Sequence, residues 1–132
     1  MFLIDTNIAI HLRDLHDEVT ERVASLDGLP LLSIVSRVEL EGGVIRFPEL
    51  REFRRSRVDS ITRNLAVLDF GVPELAAYRR IVEVAGYSRP RILDRMIAAT
   101  ALVHDLTVIT MNGNDFRDVP GLKLEIWPSP AE

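Results

Sequence analysis

The chain of 132 residues has no cysteine, one tryptophan and, among sixteen basic residues, a single lysine, Lys123. Without cysteine there is no disulfide, no thiolate nucleophile and no thiolate-bound zinc, which suits a cytoplasmic chain. No apolar run approaches the ~20 residues of a membrane span. The N-terminus also lacks a basic region followed by an apolar stretch and a cleavage site, so no signal peptide is expected. There is no G-x-x-x-x-G-K loop and no G-x-G-x-x-G loop to cradle phosphates. No serine sits in a nucleophile elbow, and His11, His16 and His104 show no useful metal-ligand spacing. The net charge of −4 argues against a protein that coats nucleic acid, because phosphate contacts rest on Lys and Arg. The near-exclusive use of Arg suits bidentate phosphate contacts all the same.

What is present reads as one domain, 1–132, with a substantial core. Apolar and helical segments alternate along it. Strands are expected at Phe2 to Asp5, Leu31 to Val35, Leu65 to Phe70 and Thr107 to Thr110, with a fifth in "KLEIW". Helices are expected from about Asn7, over Asp17 to Leu26, after Ser36, through "ELREFRRSRVDSI", and from Pro73 to about Ala85. Ser36 with Glu39 three residues on has the form of a capping box. "RILDRMIAATALVHDL" is the strongest helix and is apolar on more than one face, so it should pack deeply. This alternation predicts an α/β fold, a central mainly parallel sheet flanked by helices. In such sheets sites form beyond the carboxyl ends of the strands.

Four carboxylates sit oddly among apolar neighbours. Asp5 ends the first strand, Glu39 follows the second, Asp94 enters the most apolar helix, and Asp115 follows the fourth strand in "TMNGNDF". Each has a plainer reading: a helix cap for Asp5, the capping-box partner for Glu39, a first-turn acid for Asp94 and a turn residue for Asp115. Together they predict convergence above one edge of the sheet. Buried carboxylates need a partner charge, and no basic residues are spaced to pair with all four. Mg²⁺ or Mn²⁺ fits such an oxygen set and a phosphate substrate. Thr6, Asn7, Ser36, Thr110 and Asn112 would orient carboxylates or waters. Asp69 ends the third strand with no Thr or Asn behind it and reads as structural.

These segments carry a family resemblance. "FLIDTNIAI", "SIVSRVELEGGV", "LDRMIAATALVHDLTVIT" and "MNGNDF" resemble, in order and spacing, the PIN-domain ribonucleases, and within them the VapC toxins of toxin–antitoxin pairs. The resemblance implies a three-layer PIN-like domain and a metal-dependent endoribonuclease. RNA phosphodiester bonds would be hydrolysed through a metal-activated water held by the acidic cluster. It maps the family's acids to Asp5, Glu39, Asp94 and Asp115, leaving open whether Asp115 or Asn112 completes the site. It also implies a VapB-type antitoxin and a homodimer, or a higher toxin–antitoxin assembly. Two positions depart from the family pattern: Met111 stands where Arg is common, and Asn114 where a basic residue often precedes the last acid.

Arg54 and Arg55, in the Arg-rich stretch before the third strand, and Arg89 and Arg91, shortly before Asp94, are candidate RNA or partner contacts. The plainer reading is a solvated helix face. Two rival functions remain at this stage. One is a catalytically inactive PIN-fold binding module; the other is a phosphatase- or receiver-like α/β protein with Asp5 as nucleophile. The second is disfavoured because a D-x-D phosphatase needs an acid where Asn7 stands, and a receiver needs paired acids for which Met1 leaves no room.

Overall fold

A computed structural model describes residues 1–130. Its centre is a sheet of five strands in the order β3-β2-β1-β4-β5, every neighbouring pair parallel. The strands are β1 (Phe2–Ile4), β2 (Leu31–Ser33), β3 (Val67–Leu68), β4 (Thr107–Thr110) and β5 (Lys123–Ile126). The helices are α1 (Thr6–Arg13), α2 (Asp17–Ala24), α3 (Ile34–Arg46), α4 (Arg51–Asn64), α5 (Val72–Ala85) and α6 (Ile92–Val103). The expected α/β architecture is therefore present. Among the described residues, no helix is long and apolar enough to cross a membrane.

Period-two alternation in the short strands divides the core in two. Ile4, Leu32 and Ile109 pack with Ile8, Leu12, Val58 and Ile61 from α1 and α4. Their neighbours Leu3 and Val108 pack on the other face with Ala77, Ile81, Ile97, Ala98 and Ala101 from α5 and α6. The apolar surroundings of "MIAATA" in the sequence reflect that position against the sheet.

Two local expectations need correction. Helix α3 begins two residues before Ser36: its cap is Ser33, whose hydroxyl accepts the Val35 N–H at 3.0 Å. Ser36 is instead wholly buried inside the helix, and the capping box does not form. The third strand shrinks from Leu65–Phe70 to Val67–Leu68. It lies at the sheet edge and pairs on one side only, so little ladder holds its flanks extended. Helix α5 starts where Pro73 predicts, with the Glu74 carboxylate accepting the Gly71 N–H at 3.0 Å. It stops at Gly86, whose φ of 86° needs a residue without Cβ.

The topology fixes where chemistry can gather. From β1 the chain moves outward through β2 to β3, then crosses back to place β4 on the other side of β1. The strand order reverses between β1 and β4, and the region beyond their carboxyl ends is where open parallel sheets bind ligands.

Candidate acidic site

Asp5 sits at that reversal. It is 4% exposed and caps α1, its Oδ1 accepting the Thr6 N–H at 2.8 Å. Its backbone N–H donates to the Ile109 carbonyl of β4. The Thr110 hydroxyl, at the end of β4, donates to Asp5 Oδ2 at 2.7 Å. The capping role and the site position thus belong to the same side chain, one oxygen serving each.

Glu39 is fixed from α1. The Thr6 hydroxyl donates to Glu39 Oε1 at 2.7 Å, and the Ser36 hydroxyl lies 2.8 Å from the same Thr6 oxygen. A hydroxyl has one proton, and Thr6 spends it on the carboxylate, so Ser36 is the donor in that pair. Ser36 therefore acts in the interior of α3, one helical turn before Glu39, rather than as its cap.

The loop after β4 is ordered in the same way. Thr110 Oγ1 accepts the Asn112 N–H at 3.0 Å, and the Asn7 side-chain amide approaches it at 3.5 Å. Asn7 Oδ1 accepts the Met111 N–H at 3.4 Å. Asn112 Nδ2 donates to Asp115 Oδ2 at 2.6 Å, within a 3₁₀ turn at Gly113–Asp115. Asn112 thus restrains Asp115, whose carboxylate contributes to the raised pKa of Asp94.

Asp94, half-buried in the first turn of α6, is the electrostatic focus. Its pKa is pushed from an ordinary 3.8 up to about 7, first by burial, then by the charges of Asp5, Asp115 and Glu39, and by a hydrogen bond with Asp115. Asp5 is raised as well, chiefly by burial, against the lowering effect of its Thr110 and Thr6 hydrogen bonds. The charges of the other three predicted acids therefore reach Asp94, and those of Glu39 and Asp115 reach Asp5. Among the described residues, none of the four has a basic side chain as an ion-pair partner. No three carboxylates or histidines among those residues close into a ready-made metal cage. The donor set is oxygen only, with uncompensated charge, which suits a hard divalent cation.

The candidate RNA or partner contacts have partners or positions of their own. Arg55 is bound by Glu41 at 2.6 and 2.8 Å and by Asp59 at 3.0 Å. Arg91 pairs with Asp118 at 3.1 Å, and Arg89 is exposed in a 3₁₀ turn before α6. Arg54 donates to the Gly43 carbonyl at 2.8 Å. Asp69 is exposed and does not contribute to the fields at Asp5 or Asp94. His16 caps α2 through Nδ1 and meets His11 edge to face.

Two buried guanidiniums escaped the sequence reading. Arg95 follows Asp94 and is 2% exposed. It bonds the Gly86 carbonyl at the end of α5 and Asp118, beyond the Asp115 turn. Arg13 closes α1 at 5% exposure. The available sign was an arginine on the apolar face of a helix, three or four residues from core positions such as Ala9 and Ala98.

Comparison with known proteins places these features in context. A PIN-domain family model matches residues 2–122. Ribonuclease VapC1 of Rickettsia felis is 30% identical over 128 residues, covering 92% of each chain. The tRNA(fMet)-specific endonuclease VapC of Shigella flexneri is 30% identical over 129 residues, with 96% of this chain and 97% of that protein covered. Among solved structures, VapBC2 of Rickettsia felis bound to a DNA fragment from its promoter superimposes with a TM-score of 0.83 at 26% identity. That match covers 96% of this chain and 98% of the other.

Proposed function

The chain belongs to the PIN-domain family, within its VapC group, and on that premise we propose that it is a metal-dependent endoribonuclease toxin. The observation that carries this reading is the environment of Asp94: burial first, and then the charges of three other carboxylates from separate elements, push its pKa up to about 7. A site that accumulates negative charge without a basic partner is built to be completed by a cation. Asp5, Glu39, Asp94 and Asp115 would hold Mg²⁺ or Mn²⁺. When bound, such an ion supplies Lewis acidity toward a phosphodiester and acidifies water.

The side chains themselves divide the remaining work. Thr110 and the Thr6 N–H hold Asp5 by one oxygen each, so its carboxylate cannot rotate freely. Thr6, backed by Ser36, holds Glu39, and Asn112 holds Asp115. Asp94, with its pKa raised to about 7, would be partly protonated near neutrality and would give up that proton in holding a cation. Hydrolysis would leave a 5′-phosphate and a 3′-hydroxyl. The curated relatives named as ribonucleases support RNA as the substrate class.

The VapBC complexes among the solved structures support a VapB-type antitoxin as partner, and we place a toxin homodimer within that assembly. Val72, Leu75 and Val84 are exposed on α5 and offer apolar area for such contacts. Light scattering of the purified chain, alone and co-expressed with its antitoxin, should give a dimer and then a larger complex. A lone monomer with no complex would contradict this part.

The enzymatic reading is tested by incubating the purified chain with structured RNA in Mg²⁺, in EDTA, and as Asp94→Asn. Cleavage should occur in the first case alone. Equal cleavage in all three would overturn the mechanism.

A further inference from the structure

We propose that a cavity beside Glu39, walled by Arg13, Arg46 and Arg54, binds the RNA phosphate that flanks the cleaved one. The proposal rests on the ribonuclease reading and gives its substrate a second anchoring point. The cavity measures about 430 Å³ and includes Glu39 in its wall, so it shares that side chain with the acidic site.

Its floor explains an oddity of α3. Two glycines, Gly42 and Gly43, stand together in the helix interior, where each costs about 1 kcal/mol relative to alanine. A Cβ at Gly43 would lie 2.7 Å from Arg13 Nη1, so this glycine makes room for the buried guanidinium. A Cβ at Gly42 would meet nothing within 4 Å. Among the described residues no packing requires that second glycine, which lines the cavity.

The three arginines are held with donors to spare. Arg13 uses Nε and Nη2 on Asp14 at 2.9 and 3.2 Å, and among the described residues its Nη1 has no acceptor. Arg46 and Arg54 lie over the Phe47 ring, 5.1 and 5.4 Å from its centroid. That stacking restrains their planes without consuming their N–H groups. A guanidinium carries five N–H donors, and Arg54 commits one group to the Gly43 carbonyl. Restrained guanidiniums with unused donors are suited to a phosphate.

Apart from the exposed Arg89 before α6, the arginines of the loops and helices around the acids are held by partners of their own. Arg91 and Arg95 bind Asp118, Arg117 binds Asn114, Arg55 binds Glu41 and Asp59, and position 111 is methionine. The loop after β4 therefore has little to offer a phosphate, and the positive pole lies on the α1–α3–α4 side. An acidic pole completed by a cation beside a basic pole matches consecutive phosphates of one strand.

The test is binding of a fluorescein-labelled single-stranded RNA, followed by anisotropy in the Asp94→Asn background with Mg²⁺, so that the probe stays intact. Gly42→Glu places a carboxylate in the cavity while removing a helix-interior glycine. Its unfolding temperature should be unchanged or higher, and its RNA affinity about tenfold or more weaker. Arg46→Gln, at an exposed position, should also weaken binding and lower the salt-dependence slope by about 0.7. Unaltered affinity in both variants would overturn the proposal while leaving the ribonuclease reading intact. So would a Gly42→Glu variant that keeps RNA affinity but no longer forms the antitoxin complex, since the cavity would then seat a protein. RNA binding that is sensitive to Gly42→Glu in a wild-type background without cleavage would support the cavity and contradict the ribonuclease reading.

Discussion

Thr110 Oγ1 donates a hydrogen bond to Asp5 Oδ2 at 2.7 Å, joining the ends of two adjacent parallel strands through residues 105 positions apart. Thr110 is wholly buried, so the bond is shielded from water and gives the carboxylate a fixed orientation. Thr110→Val keeps the shape and removes the donor. Stability should fall by about 1–3 kcal/mol, because Asp5 loses a buried partner, and cleavage should fall about tenfold or more. Thr110→Ser should restore both. Thermal unfolding and initial cleavage rates on the same preparations check this.

The Thr6–Ser36–Glu39 chain makes a second prediction. Thr6→Val strands the Ser36 hydroxyl, which is 0% exposed, and should cost about 1–3 kcal/mol. Adding Ser36→Ala removes the orphan, so the double variant should be more stable than the sum of the single losses predicts. Chemical denaturation of the four proteins measures the coupling. Strict additivity would mean that the two hydroxyls do not act together.

Asp94 predicts a pH dependence of the metal-free protein. Its folded pKa is about 7, against an ordinary value of 3.8. The folded chain holds a proton that the unfolded chain has released across that window. The stability contributed by Asp94 is therefore complete below pH 3.8 and is lost as pH rises through about 7. In EDTA the unfolding temperature should decline toward neutral pH, with a shallower decline in Asp94→Asn. Mn²⁺ should raise the wild-type unfolding temperature at neutral pH and have little effect on the variant.

The Arg-rich stretch separates two outcomes. Arg55 is fastened to Glu41 and Asp59, and Glu41 is held below its ordinary pKa mainly by the Arg55 hydrogen bond. The pair is partly exposed, so Arg55→Gln should change stability by at most about 1 kcal/mol. RNA cleavage should stay within about twofold of wild type, because none of the acids of the site bonds to Arg55. A large loss of cleavage would show that Arg55 leaves its ion pairs to contact RNA.

Asp5 and Asp94 stood out in the sequence because each interrupts an apolar pattern, at the end of β1 and the start of α6; Glu39 inside α3 and Asp115 in the loop after β4 are brought within range of Asp94's charge by the topology. The parallel sheet was legible from alternation alone. Element boundaries were less so. Ser36 and Glu39 have capping-box spacing, but Ser33 lies at the true junction between β2 and α3, and short polar residues at both positions obey the same local rule. The third strand was read too long because "LAVLDF" is apolar throughout, while edge pairing sustains only Val67 and Leu68. The burial of Arg13 and Arg95 was invisible because the space that Gly43 leaves for Arg13 across a helix interface, and the bond of Arg95 to Asp118 in a distant loop, are set by tertiary packing.

The central claim is that Asp5, Glu39, Asp94 and Asp115 act as one cation-binding unit. Calorimetric titration of the metal-free chain with Mn²⁺, repeated for Asp5→Asn and Asp94→Asn, tests it most directly. Wild type should bind with proton release at neutral pH, as Asp94 gives up its proton, and each variant should lose at least about tenfold in affinity. Binding of equal affinity in wild type and both variants, or no Mn²⁺ binding by the wild type, would contradict it.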